Sequence, residues 1–342
     1  MGLGGPAQFF AEITDASDLA TALRWAKARD LPAFVLGGGS NLVVADEGFS
    51  GLVLHMRTRG LRWTQVGGEV RVEVQAGETW DSLVAESVLR NAAGIECLSG
   101  IPGTVGAAPV QNIGAYGQEV AETIRGVRIL KRDTLEVRDL SAEDCEFGYR
   151  TSLFKHERRH FVILSVTLGL AAGGRPALRY AELESAFPGN AKPSLAEVRQ
   201  TVLSLRRKKS MVLDEEDPNR RSAGSFFTNP IVSAEFAARL AQGVVAAGLV
   251  QAPEEMPRFA LSDGRVKLAA GWLVEHAGLC KGFRVGSVGI SSSHALALVH
   301  HGGGTTADLL RLALQVRTAV FDCFAIELAP EPVFLGLIWP DV

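Results

Sequence analysis

The residues able to do chemistry in this chain fall in a few short stretches, and two of those are rich in glycine. Gly37-Gly38-Gly39-Ser40-Asn41 sits between the apolar runs 33–36 and 42–44. Three glycines let a backbone turn through positive φ and come close to another molecule. Successive N–H groups in such a turn form a concavity for phosphate oxygens. A plain tight turn suits the same residues, and the residue types leave both readings open. No Gly-Lys-Ser/Thr follows, so this is not a P-loop, and Leu42 stands where the last glycine of G-x-G-x-x-G would fall. The second stretch, 100–117, reads GIPGTVGAAPVQNIGAYG. Its glycines, prolines and alanines suit neither helix nor strand, but they clear side-chain bulk from a path along which a large flat ligand can lie against backbone. Irregular segments of this length are uncommon and usually functional.

Three further groups are candidates by type. Arg150, between Tyr149 and Thr151, is a surface arginine or a bidentate partner for a carboxylate. Ser225, in AGSFFTNP, is a turn serine or a closely placed donor. Arg206-Arg207-Lys208-Lys209 is a solvated basic helix end, which suits the helix macrodipole, or a cationic ligand site. Lys267 supplies a cation or caps the core, and Gly302-Gly303-Gly304 reads as a surface loop before a helix.

Alternating elements must position these groups. Residues 15–29 read as a helix with Leu19, Leu23 and Ala26 on one face, capped by Asp15 or Ser17. Residues 33–36 and 42–44 read as strands, 51–75 as further strands, and 80–91 as a helix. A hairpin is expected over 127–140 and a buried strand over 161–170. Linker chemistry at 188–193 leads to Ser194 with Glu197 three residues on, a capping box. The helix behind it faces inward with Leu195, Val198, Val202 and Leu205. Helices at 233–242, 268–279 and 306–324 and a strand-like 333–339 complete the chain.

With 342 residues, 47% hydrophobic and 21% charged, the chain is globular and long enough for two or three domains. A net charge of −3 supplies no basic field, so neither nucleic acid nor an anionic membrane is an expected partner. Cys97, Cys145, Cys280 and Cys323 are scattered without a C-x-x-C pair; free thiols in a reducing compartment and no metal are expected. No apolar run reaches the ~18 residues of a membrane helix, and no signal-peptide pattern opens the chain. The expected location is the cytoplasm, and a monomer is the default.

GGGSN, SGIPGTVGAAPVQNIGAYGQE, CEFGYRTSLFKHE, SAGSFFTNP and VKLAAGWLVE occur in this order from about residue 4 to about 337. In that order and spacing the chain resembles the UDP-N-acetylenolpyruvoylglucosamine reductases. These are flavoenzymes whose first half is an FAD-binding fold shared with the vanillyl-alcohol-oxidase group. The resemblance implies an α+β architecture. It has an FAD-binding domain over 1–190 in two subdomains (about 1–70 and 71–190), a smaller α+β substrate domain over 200–328, and a segment 329–342 returning to the FAD domain. It implies non-covalent FAD, NADPH as co-substrate, and a UDP-sugar enolpyruvyl ether as substrate. NADPH would use the substrate pocket itself, in keeping with the missing Rossmann fingerprint.

By similarity, Gly37, Gly38, Gly39, Ser40 and Asn41 bind the cofactor. Ile101, Pro102, Gly103, Gly106, Ala107, Ala108, Asn112, Gly114, Tyr116 and Arg206 join them. Arg150 is the electrostatic catalyst, Ser225 the proton donor, and Glu331 the third catalytic group, with Glu327 as its alternative. Leu328-Ala329-Pro330-Glu331-Pro332-Val333 departs from the family's Leu-Glu-Pro-Glu-Val-Arg, and its two prolines stiffen the backbone around Glu331. Tyr149, Tyr180, Lys209, Asn229, Phe259, Lys267 and His294 fall at substrate positions. Tyr180 matches a substrate-capping tyrosine, Phe259 stands where Tyr is frequent, and His294 where the family has Gln. The family's Asn-Thr pair ahead of Gly-Gly-Pro-Ala has no counterpart, so a shortened start is expected. Two alternatives remain. One is another flavin oxidase or dehydrogenase, with His55 the candidate for a covalent tether. The other is a non-catalytic flavin- or nucleotide-sugar-binding regulator.

Overall fold

The computed structural model describes residues 1–189 and 191–340. The expected domain end at 190 and the last two residues of the expected segment 329–342 lie outside them. The chain forms two compact units. The larger holds Ala7–Gly39 and Phe49–Leu213, and the smaller holds Met1–Pro6, Ser40–Gly48 and everything from Asp214 on.

In the larger unit, Phe49–Met56 runs parallel between Ala7–Ile13 and Ala33–Leu36. The Ala16–Lys27 helix links the outer two; the Asp15 carboxylate accepts from Ser17 N at 2.7 Å, and Leu19, Leu23 and Ala26 are buried. An antiparallel sheet follows in the order Val137–Ser141, Ile124–Lys131, Phe161–Ala172, Glu69–Gln75 and Leu61–Val66. Both sheets share one core. Leu61–Val66 pairs with Glu69–Gln75, so the change of sheet falls between residues 56 and 61, ahead of the expected 70.

The Trp80–Leu89 helix opens with Trp80, 1% exposed. Its indole N–H donates to Leu98 O and its backbone N–H to Gly103 O, both at 3.1 Å. One residue thus holds the glycine-rich segment at Gly103 and the chain just ahead of it at Leu98.

The capping box at Ser194 and Glu197 is present at the head of Leu195–Lys208. The helix does not open the second unit, however. Its residues Val198, Val202 and Leu205 pack with Cys97, Tyr116 and Leu183, which keeps it in the larger unit up to Leu213.

The smaller unit combines helices Ala234–Ala246, Ala270–His276 and Thr306–Phe324 with an antiparallel sheet ordered Ser222–Ser225, Ala297–His300, Val288–Ile290 and Arg284–Val285. A three-stranded sheet centres on Val266–Leu268. Val333–Leu335 pairs in parallel with Leu42–Val44. Asp46 accepts from Thr306 N and Ala307 N at 2.7 and 3.0 Å, and Thr306 Oγ1 donates to Val44 O at 2.6 Å. These bonds draw 40–48 into the smaller unit, although the sequence places it in the first half. Among the described residues no helix is long and apolar enough to cross a membrane.

Trp80→Ala is expected to cost about 3–5 kcal/mol of stability from the cavity it leaves. Trp80→Phe, which removes the indole donor together with three ring atoms and leaves Leu98 O without its partner, costs about 2–3 kcal/mol. Urea denaturation measures both. A Trp80→Phe protein as stable as the parent would show that the indole bond holds nothing.

Candidate functional site

Within the larger unit the two glycine-rich stretches meet backbone to backbone. A Cβ on Gly38 would lie 2.8 Å from Gly103 Cα, and one on Gly37 would lie 2.6 Å from Thr104 Oγ1. A Cβ on Gly106 would meet Ala76 Cβ at 2.5 Å. Side chains are excluded where the chains cross, and the backbone itself forms the surface. Gly38, Gly39 and Ala107 stay exposed along it.

The segment 99–117 is held from outside. Asp81 accepts from Gly100 N at 2.6 Å and takes a bidentate pair from Arg199 at 2.7 and 2.8 Å. Burial pushes the Asp81 carboxyl upward, yet the Arg199 and Gly100 hydrogen bonds outweigh it and hold it below the usual value. Arg206 Nη2 donates to Gly100 O at 3.3 Å and Met211 O at 2.7 Å. Arg206 Nε is buried without a hydrogen-bond partner in the protein, and burial draws the guanidinium below its ordinary pKa. Val105 N and Gly106 N donate to Glu78 O and Ala76 O at 2.8 and 2.9 Å.

At the far end of the segment lies Arg150. Gly148 and Thr151 exchange two backbone hydrogen bonds at 3.1 and 3.2 Å, closing a turn through Tyr149 and Arg150. Arg150 takes φ 52°, in the place such turns usually give to glycine or asparagine. Its guanidinium donates to Gly114 O at 2.8 Å and Asn112 O at 3.3 Å and lies 5.8 Å from the Tyr149 ring centre. Asn112 is 1% exposed and has φ 44°. Its amide donates to Glu119 Oε2 and Gly148 O at 2.8 and 3.0 Å, and its Oδ1 accepts from Ala121 N at 3.1 Å.

Tyr116 stacks edge-on with Tyr180 at 5.5 Å and carries Lys209 Nζ over its ring at 5.6 Å. Burial pushes its hydroxyl up to about 12, so it remains a proton-bearing donor at any working pH. Lys209 also pairs with Glu182. Tyr180 is 42% exposed at the head of the short Ala181–Glu184 helix.

The smaller unit carries the remaining candidates on strands of two sheets and on the loops beside them. Phe226, after Ser225, donates to Leu296 O at 2.7 Å and accepts from Glu331 N at 2.8 Å. Ser225 therefore lies between the segment that carries His294 and the segment that carries Glu331. His294 Nδ1 accepts from Leu296 N at 3.1 Å. Asn41 Nδ2 donates to Glu331 O at 3.3 Å. Glu327 is bonded to Arg317 at 2.6 Å instead. On the second sheet Lys267 pairs with Phe259 and holds its ammonium 5.8 Å from that ring centre, while Asn229 Oδ1 accepts from Ala270 N at 2.9 Å.

Sequence reasoning missed Trp80, Asp81, Glu119 and Lys155, which bond to Leu98 O, Gly100 N, the Asn112 amide and Arg150 O. Lone side chains of common type on helices and turns give no local signal. A separate cavity of about 400 Å³ in the larger unit includes none of the predicted residues; its Arg125 and Arg179 are paired with Glu69 and Glu122. Among the described residues no cluster of His, Cys, Asp and Glu has the makings of a metal site.

Two family models match the chain, an FAD binding domain over residues 7–139 and the C-terminal domain of UDP-N-acetylenolpyruvoylglucosamine reductase over 217–335. The UDP-N-acetylenolpyruvoylglucosamine reductase of Thermobifida fusca is 49% identical over 344 residues, covering 98% of this chain and 95% of its own. That of Saccharopolyspora erythraea is 50% identical over 341 residues, covering 97% and 92%. The crystal structure of the reductase from Thermus caldophilus superposes with TM-score 0.63 at 24% identity, over 98% of this chain and 94% of that one, a likeness of fold.

Gly38→Ala is expected to purify with flavin binding weakened at least about tenfold, since the added methyl must displace Gly103. Its melting temperature should fall as well, because the clash is with backbone. Full flavin content by absorbance would overturn the backbone-cradle reading. For Asp81, a lowered native pKa adds stability above the unfolded value of about 3.9 and loses it as pH falls through the native one. Asp81→Asn should therefore cost about 1–2 kcal/mol at pH 7, below the figure for fully buried pairs because the Asp81 side chain is 35% exposed. In melts across pH the gap to the parent should close below about pH 4; a gap independent of pH would count against it.

Proposed function

Because the chain belongs to the UDP-N-acetylenolpyruvoylglucosamine reductase family, we propose how its own residues divide that family's reaction. The chain is an FAD-dependent oxidoreductase that reduces UDP-N-acetylglucosamine enolpyruvate with NADPH in peptidoglycan precursor synthesis. The residues present fit FAD. The crossing of Gly38 on Gly103 leaves a bare backbone surface for a diphosphate and flat ring, and the orphaned Arg206 Nε is a buried donor in want of an acceptor. Gly37 to Asn41, Ile101 to Gly103, Gly106, Ala107, Ala108, Gly114, Tyr116 and Arg206 would hold it. Asn112 supports the loop from beneath, since both ends of its amide are engaged within the protein. FAD, when bound, supplies the hydride relay from NADPH to the terminal carbon of the enolpyruvyl group.

That addition leaves negative charge on the adjoining carbon and the carboxylate. Arg150 binds the carboxylate and stabilises the charge as it grows. Ser225 delivers the proton to the carbanionic carbon, with Glu331 as the carboxylate beside it. The bond from Glu331 N to Phe226 O supports Glu331 over Glu327 for this part. Tyr149, Tyr180, Lys209, Asn229, Phe259, Lys267 and His294 bind the nucleotide-sugar. Lys209 and Lys267 bring the positive charge that a diphosphate needs. Four unpaired cysteines support a cytoplasmic setting.

The observation that carries the assignment is Arg150's left-handed backbone with its guanidinium bonded to Gly114 O. Asp30 and Glu146 share that conformation, but Arg150 alone of the three combines it with a guanidinium bonded to the glycine-rich segment. An anaerobic absorbance titration tests the reading. The parent's flavin bands should bleach with NADPH and return on adding the enolpyruvyl ether. Arg150→Met should bleach at the parent rate but reoxidise about 10²–10³-fold more slowly. Parent-like reoxidation would remove Arg150 from the chemistry, and a parent that bleaches without reoxidising would point to another flavin dehydrogenase.

A further inference from the structure

The turn that carries Arg150 has a second cation beneath it. Lys155 lies in the single-turn helix Leu153–His156, five residues on, and its Nζ donates back to Arg150 O at 2.8 Å. The helix is fixed in turn, since the Ser152 hydroxyl accepts from Lys155 N at 3.3 Å and donates to Val110 O, inside the glycine-rich segment, at 2.6 Å. The Arg150 peptide is therefore gripped at its carbonyl, while Asn112 grips the Gly148 carbonyl on the other side of the turn at 3.0 Å.

A non-glycine residue at φ 52° relaxes toward negative φ unless its surroundings hold it. Such a relaxation rotates both flanking peptide planes, and with them the carbonyl that Lys155 holds. A charge-assisted bond to that carbonyl opposes the rotation more strongly than a neutral donor does. We propose that Lys155 is a positioning residue for the reduction: by holding the Arg150 carbonyl it fixes the left-handed backbone that sends the guanidinium to Asn112 O and Gly114 O, where a substrate carboxylate is to be met. The proposal rests on the reading of Arg150 as the carboxylate-binding group. Lys155 itself touches neither substrate nor flavin in this scheme, so its effect on turnover passes through Arg150 alone.

The test uses the full flavin-loaded protein in anaerobic half-reactions. Lys155→Met should keep its flavin and bleach with NADPH at the parent rate. Its reoxidation by the enolpyruvyl ether should be about tenfold slower, with the loss in the rate at saturating ether. Lys155→Arg, which retains a charged donor, should recover most of that rate. The double variant Lys155→Met/Arg150→Met should be no slower than Arg150→Met alone, because a group acting only through Arg150 has nothing left to position. Parent-like reoxidation in Lys155→Met, loss of flavin or of NADPH bleaching, or losses that multiply in the double variant would each overturn the proposal. An impaired Arg150→Met beside a parent-like Lys155→Met sinks the role of Lys155 alone, whereas a parent-like Arg150→Met sinks the reading beneath it.

Discussion

A segment poor in side-chain bulk cannot fix its own shape, and much of the larger unit is arranged around this limit. From Ser99 to Gly117 the chain has little propensity for helix or strand, and only a few of its side chains, Val105, Ala108 and Ile113 among them, enter the core. Its shape comes from hydrogen bonds supplied by neighbours. Trp80 takes Leu98 O and offers its N–H to Gly103 O, Asp81 takes Gly100 N, and Arg206 takes Gly100 O. Ser152 and Arg150 take Val110 O, Asn112 O and Gly114 O. The surface that results is bare where it must be bare, because its supports stand behind it.

The same arrangement ties chemistry to structure. Arg150 lends its guanidinium to the segment's carbonyls, so the charge proposed to meet the substrate also helps hold the floor beside it. Arg206 is tied to Gly100 O and Met211 O through Nη2 and keeps Nε buried without a protein acceptor. A buried donor left without an acceptor is costly, and at Arg206 that cost is what the proposed flavin contact would relieve. In the smaller unit the backbone does the equivalent work, with Phe226 bonded on one side to Leu296 and on the other to Glu331. Pro332 departs from the pattern that the sequence resembles, yet the Glu331 N–H and carbonyl are both bonded within the unit.

Local physics made most elements legible. The Asp15 cap, the Ser194–Glu197 box, the faces of Ala16–Lys27 and Leu195–Lys208, and the Thr306–Phe324 helix follow from side-chain spacing and capping, which act over a few residues. The glycine stretches were legible as well, because missing side chains are visible in a sequence. The unit boundaries were not. Leu42–Val44 joins the smaller unit through a parallel pairing with residues almost 300 positions away, and Leu195–Lys208 stays in the larger one because its apolar face meets Cys97, Tyr116 and Leu183.

The sequence by itself therefore determined where backbone would be exposed, which helices would form and, through its long motifs, which family the chain resembles. Only the tertiary structure decided which carbonyl each charged side chain would hold. Arg150's positive φ, the grip of Lys155 on its peptide, and the choice of Glu327 for Arg317 rest on atoms brought together across the fold. The reason is one of range. Propensity and patterning act between neighbours in sequence, whereas a hydrogen bond to a distant carbonyl is fixed only when the whole chain has closed around it.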